Sequence, residues 1–180
     1  MLSIASLLFF PLFQYGGEAP LSSVETDRRS EPTRLALKTL DWDTRLGQPA
    51  VDRRLSYSLS QAKRAGYWYI QGTPDSMGEL KEIVRSFGGQ VFDYIPHNAF
   101  EVKLPVDAVA PIRQYAQALL PIHPAWKIDP EVGLRGTENA TGHLEIALEF
   151  WSDQDIVVME EQLHEAGIEI VGLSVSGRYQ

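Results

Sequence analysis

The chain has 180 residues, 44% of them hydrophobic and 22% charged, with 24 acids, 16 bases and no cysteine. That is globular composition, enough for one ordinary domain or two very small ones. The missing cysteine excludes a disulfide framework, a Cys-ligated zinc site and a thiol nucleophile, and the net charge of −8 argues against a surface built for phosphate backbones. Charge is also unevenly spread: residues 18–65 hold 7 acids and 9 bases, whereas residues 66–180 hold 17 acids and 7 bases.

Four zones follow from this pattern, and the first is 1–20. Ile4 to Phe13 is almost wholly apolar and is broken by Gly16-Gly17 and Ala19-Pro20. About ten apolar residues are too few to span a bilayer, which takes roughly 20. The run fits the apolar region of an export signal, although no Lys or Arg precedes it. A secreted or periplasmic location is the expectation. The second zone, 21–65, opens as a polar linker and then carries scattered apolar residues. Leu55, Leu59 and Ala62 could line one face of a short helix running into Gly66. An irregular arm, partly packed on the globular part, is expected there.

The third zone, 66–131, is clearly patterned. Tyr67 to Gln71 is aromatic and β-branched, a strand. Thr73-Pro74-Asp75 reads as a helix start, Met77, Leu80, Ile83, Val84 and Phe87 keep helical spacing, and Gly88-Gly89 ends the helix. Gln90–Ile95 and Ala99–Leu104 are two strands joined by the turn Pro96-His97-Asn98. They are too close for a crossover, so they form an antiparallel hairpin. A second helix is expected from Val109, Ile112, Ala116 and Leu119, with Pro111 shortening or kinking its start. Leu120 to Ile128 is a last extended segment that Pro121 and Pro124 confine to a sheet edge. The order β-α-β-β-α-β predicts an α+β fold, the ferredoxin-like antiparallel sheet with both helices on one face.

The fourth zone, 142–180, repeats the first half of that order: a strand over 143–150, a cap at Ser152 to Asp155, a helical stripe of Ile156, Met159, Leu163 and Ala166 stopped by Gly167, and a strand over 168–175. A partial second βαβ module is expected, whose exposed half either packs on the first module, pairs between chains, or is completed in a longer precursor of which this chain is a piece.

No constellation for chemistry emerges. His97, His123, His143 and His164 lack ligand spacing, no Ser-His-Asp set or phosphate-cradling glycine loop appears, and paired acids such as Glu160-Glu161 read as a solvated helix face. No catalytic residue, metal site or cofactor is therefore expected. One surface does suggest a partner. Strand alternation places Trp68, Ile70, Val91, Ile95, Phe100, Val102 and Leu104 inward, with a bulge allowed at Asp93. The open face then carries Tyr67, Tyr69, Phe92, Tyr94, Glu101 and Lys103, an aromatic patch suited to a protein partner. The acidic balance excludes the base-stacking use of such a face.

These residues resemble a family. The stretch from Tyr67 to Pro105, with its helix ending in Gly-Gly and its YIPHNAFEVKL hairpin, and the later HPAWKIDPEVG, are similar to the inhibitory propeptide of secreted subtilisin-like serine proteases, in its tandem-module form. The resemblance covers about two-thirds of the chain; the Asp, His and Ser motifs of such a protease are absent from it. It implies a module that binds, inhibits and helps to fold a subtilisin-like protease, in cis or in trans. It implies docking through Tyr67, Tyr69, Phe92, Tyr94 and Glu101, and a segment from Lys127 through Ile128 and Asp129 to Gly133 lying in the substrate cleft. The competing reading is a small-ligand regulatory module of ACT type, which uses the same β-α-β-β-α-β unit and could place a ligand at the turn bearing Gly72.

Overall fold

A computed structural model describes residues 33–132 and 142–173. Contacts divide the chain after Glu31, and all described residues belong to the second unit. The apolar run within 1–20 and the last part of the expected strand over 168–175 lie outside the described residues.

The fold is mixed α+β, with two antiparallel sheets and four helices among the described residues. The arm contributes a small hairpin, β1 (Arg34–Ala36) and β2 (Asp41–Asp43). Helix α1 (Leu59–Ala65) follows. Ser58 caps it by accepting from the Gln61 N–H, while Gln61 Oε1 accepts from the Ser58 N–H, so two orphan donors are satisfied together. Of the expected stripe only Ala62 is buried; Leu59 is exposed and Leu55 sits in a separate 3₁₀ turn, because one short helix turns a single small residue toward the sheet.

Next come β3 (Tyr67–Gln71), α2 (Met77–Ser86), β4 (Gln90–Ile95) and β5 (Ala99–Lys103), with bounds close to those the pattern predicts. Thr73 caps a 3₁₀ turn over Pro74–Ser76 that leads into α2. The second helix of this region differs. A 3₁₀ turn over Val106–Ala108 precedes a single α turn, α3 (Val109–Ile112). Pro111 brings no N–H to that turn, and the chain leaves it so early that Leu119 falls in a strand instead of on the helix. That strand, β6 (Ala118–Pro121), is also shorter than expected, and Pro124–Lys127 closes into a 3₁₀ turn. Prolines explain both limits, since each removes a ladder donor.

The main sheet runs β4-β5-β3-β6, every neighbour pair antiparallel. Strand β6, where Pro121 lies, is an edge. One face meets the helices. Trp68, Ile70, Phe100, Val102 and Leu104 pack there with Ala62 of α1, Leu80 and Val84 of α2, and Val109 and Ile112 of α3. Five of these, Trp68, Ile70, Val84, Val102 and Ile112, are fully excluded from solvent. Of the expected inward set, Trp68, Ile70, Val91, Phe100, Val102 and Leu104 lie where the alternation predicts, and Ile95 lies on the other face.

The last helix, α4 (Ile156–Glu165), is present. Its cap is Asp155, whose carboxylate accepts from the Val157 N–H, so the cap falls at the end of the expected Ser152–Asp155 stretch. The two strands expected beside it are not formed among the described residues. Residues 143–150 and 168–173 are irregular apart from a bridge at Leu144. A strand needs a neighbour to take its N–H and C=O groups, and among the described residues no strand pairs with either segment.

Candidate partner-binding face

The face of the sheet away from the helices is the one the alternation leaves open. Its positions are where the pattern places them: Tyr67 pairs with Lys103 and Tyr69 with Glu101, so the four side chains share one side. The face is nevertheless covered by the chain itself. Tyr67 is 9% exposed and Tyr69 is 6% exposed. Three covers meet on it. The arm brings Leu35, Leu37, Leu40 and Val51. The turn after β6 brings Trp126, stacked over Tyr69 with centroids 6.2 Å apart. The segment before α4 brings Trp151, stacked on Tyr67 at 3.8 Å with a 10° interplanar angle. The expectation of a bare aromatic face is corrected on this point. The apolar residues of the arm find their one large unpaired surface there, and burying them outweighs leaving two tyrosine rings wet.

A second correction concerns Tyr94. The register of β4 on β5 shifts between Val91 and Tyr94, so Tyr94 lies opposite Phe100 and Ile95 opposite Ala99. A bulge of this kind reverses the pleat beyond it. Ile95 therefore packs with Tyr67 and Tyr69, while Tyr94 sits edge-on to Phe100 at 5.6 Å and stays 59% exposed. Phe92 and Tyr94 do not share a face. Phe92 packs against the tyrosine cluster, 6.1 Å from Tyr67.

Polar groups hold the cover in place. The Trp151 indole N–H donates to Glu101 Oε2 at 2.9 Å. The Tyr67 hydroxyl donates to Asp153, 2.9 and 3.0 Å from its two oxygens, and Lys103 Nζ donates to Asp153 Oδ2 at 2.5 Å. Gln154 Nε2 donates to the same tyrosine oxygen. Lys127 Nζ lies 4.4 Å from the centre of the Trp151 ring and 5.7 Å from that of Tyr67, beside the stacked pair.

Electrostatics follow the packing. Burial pushes the Glu101 carboxyl above the usual range, with the Trp151 N–H opposing. Burial also raises Asp153, but hydrogen bonds from Lys103, Tyr67 and Gln154 outweigh it and hold the carboxyl below its ordinary value. Burial raises Tyr69 beyond its ordinary range, and the nearby Glu101 charge adds to it.

Of the expected cleft segment, Lys127 lies against the face, Ile128 is 45% exposed, and Asp129 is tied down by Lys38 and by the Glu131 N–H. So Tyr67, Tyr69, Phe92, Glu101 and Lys127 come together, whereas Tyr94, Ile128 and Asp129 lie apart from that cluster. The residues that sequence reasoning missed are Trp126, Trp151, Asp153 and Gln154. The one signal for Trp151 was a large aromatic between an alternating apolar run and a helix cap.

The turn bearing Gly72 packs closely on the start of α2. A Cβ there would lie 2.9 Å from Ser76 Oγ and 3.0 Å from Leu80 Cδ2. Among the described residues no cluster of His, Asp or Glu could hold a metal ion, and no helix is long and apolar enough to cross a membrane. Comparison with protein-family models, characterised proteins and solved structures finds no match to this chain.

Proposed function

We propose that this chain is a propeptide-type module, itself without catalytic residues, that binds, inhibits and helps to fold a secreted subtilisin-like serine protease. The strand order β4-β5-β3-β6 supports a ferredoxin-like plan, the plan the resemblance implies. The observation that carries the reading is the composite occupation of the face by Trp151 and Asp153. A surface that takes an aromatic ring on Tyr67 and a carboxylate between Tyr67 and Lys103 has both parts of a protein-docking site, an apolar anchor and charged groups that fix its orientation. In this reading the segment ahead of α4 holds the site in reserve, and the protease displaces it. The exposed Ile128 then leads the chain toward the cleft.

Inhibition of a purified subtilisin-type protease tests this. The whole chain should inhibit it, and Trp151→Ala should inhibit about tenfold more tightly, because the cover no longer competes. Tyr94→Ala, on the other side of the sheet, should leave inhibition unchanged. Lack of inhibition by both the wild-type chain and Trp151→Ala would end the proposal.

A small-ligand module is the second reading, and one observation favours it. A cleft of about 230 Å³ lies beside β6, lined by Thr44, Gln48, Tyr57, Arg113 and Gln117 among others, and by Trp68, whose buried Nε1 has no hydrogen-bond partner. A thermal shift with a free amino acid, together with no protease inhibition, would favour this reading.

A further inference from the structure

The region 142–173 carries the strand-helix-strand pattern of one half of a sheet module. Leu144, Ile146, Leu148 and Phe150 alternate along 143–150, and each is at least 40% exposed. Val157 and Val158 of α4 are 66% and 43% exposed. Ile168, Val171 and Leu173 beyond it are 41–76% exposed. No residue of α4 is buried. Solvated apolar side chains at this density, in a segment patterned strand-helix-strand, are a surface without its partner.

The first module shows what such a half requires. Its sheet is built from two strand-helix-strand halves, β3-α2-β4 and β5-α3-β6. In the order β4-β5-β3-β6 each half gives one inner and one outer strand. The strands of one half are never neighbours: β5 lies between β3 and β4, and β3 lies between β5 and β6. The two halves are thus interchangeable about a two-fold axis between β3 and β5. A half standing alone has a gap one strand wide, and another half of the same kind closes it.

We propose that a second copy of this chain supplies that half, so that two 142–173 regions join about a two-fold axis into one complete four-stranded module. The 143–150 segments of the two copies become the inner strands, antiparallel to each other, and the 168–173 segments become the outer ones. The interface is isologous and closes at two chains. Leu144, Ile146, Leu148 and Phe150 on one side of the inner strand, with Val171 and Leu173 sharing one side of the outer one, offer roughly 500 Å² per copy, below the roughly 800 Å² per partner of a standard interface and fitting a reversible pairing. The 142–173 region has 8 acids and no Lys or Arg. Glu145 and Glu149 alternate with the apolar set and so face away from the helices, leaving the repulsion on the solvated side, where salt screens it. The pairing therefore strengthens with salt, opposite to the docking of a basic partner.

Light scattering coupled to size exclusion on the whole chain should give a dimer whose dissociation constant falls as salt rises. Ile146→Glu should make it monomeric with unchanged near-ultraviolet dichroism, since Ile146 is half exposed in the single chain. Leu46→Glu, at an exposed leucine of the arm, should remain dimeric. The chain has no cysteine, so Ala147→Cys, at the middle of the inner strand, gives a clean cross-link. Oxidation should join two copies through it. A wild-type chain that stays monomeric at high micromolar concentration, or a dimer unmoved by Ile146→Glu or not trapped by Ala147→Cys, overturns the proposal.

Discussion

His123 shows how one buried side chain ties the arm to the sheet. It is 1% exposed, and its Nδ1 accepts from the Tyr57 N–H at 2.9 Å. The ring proton therefore belongs on Nε2, beside the Gln48 side-chain amide, which must turn its oxygen to that N–H to accept from it, and Trp126 meets the ring edge-on at 4.8 Å. Burial pulls the His123 pKa below its ordinary 6.5. A lowered folded-state value means that the unfolded chain takes up the proton first. Stability is complete above about pH 6.5 and falls as the pH drops through the folded value. Glu101, raised by burial, acts in the opposite direction at more acid pH, and contributes stability once its carboxyl is protonated. The melting temperature should therefore decline between about pH 7 and pH 5, before the carboxylates titrate. His123→Gln, whose amide can still accept from Tyr57, should flatten that decline. Parallel melting curves for the two proteins would show that His123 is not its source. Gln71 has a similar stitching role: its amide donates to the Arg34 and His97 carbonyls, and its oxygen accepts from the Thr44 hydroxyl. Nothing local in the sequence distinguishes such a glutamine from a solvated one.

The elements that were legible are those with their own punctuation. Helix α2 ends in two glycines that do different work. Gly88 has φ +74°, a conformation that a side chain resists. Gly89 has ordinary φ but no space: a Cβ there would lie 2.8 Å from Val84 Cγ1 and 2.9 Å from the Val84 carbonyl oxygen. Gly88→Ala should cost about 1 kcal/mol through backbone strain. Gly89→Ala should cost more, about 2–3 kcal/mol, because a backbone oxygen cannot step aside. Denaturant unfolding of the two variants checks the order; a smaller cost at Gly89 would contradict it. The hairpin turn was legible for a similar reason, since His97 and Asn98 both take positive φ and both residue types tolerate it. The bulge was only half legible. Asp93 breaks the apolar alternation and so marks a fault, but which residues beyond it change sides depends on how β4 sits on β5. That is why Tyr94 was placed on the wrong face. The second helix failed because its apolar spacing survives in a chain that Pro111 has already turned out of helix.

At the scale of the whole unit, the decisive contacts join residues 50 to 87 positions apart, from β3 and β5 to the segment ahead of α4. The Asp153 side chain is 11% exposed, and Lys103 is the cation beside it. Lys103→Met leaves that carboxylate shielded and short of a partner, which should cost about 1–3 kcal/mol. The Lys103→Met/Asp153→Asn double variant should recover part of the loss, since the charge left behind is then removed. Hydrogen exchange locates the effect. Amides of residues 142–155 should exchange faster in Lys103→Met, with β3 and β5 unchanged. Uniform loss of protection across the sheet would mean that the segment is part of the core and not a separable cover.

Composition, period and punctuation determined by themselves that the chain carries an α+β module with β3, α2, β4 and β5 in place, because strand alternation, helical spacing, capping residues and glycine stops act within a few residues of where they occur. Tertiary structure alone decided that the second face of the sheet is covered as well. Covering Tyr67 and Tyr69 takes an arm from one side and a tryptophan from the other, and the match between those surfaces is a property of their meeting in space that no local stretch records.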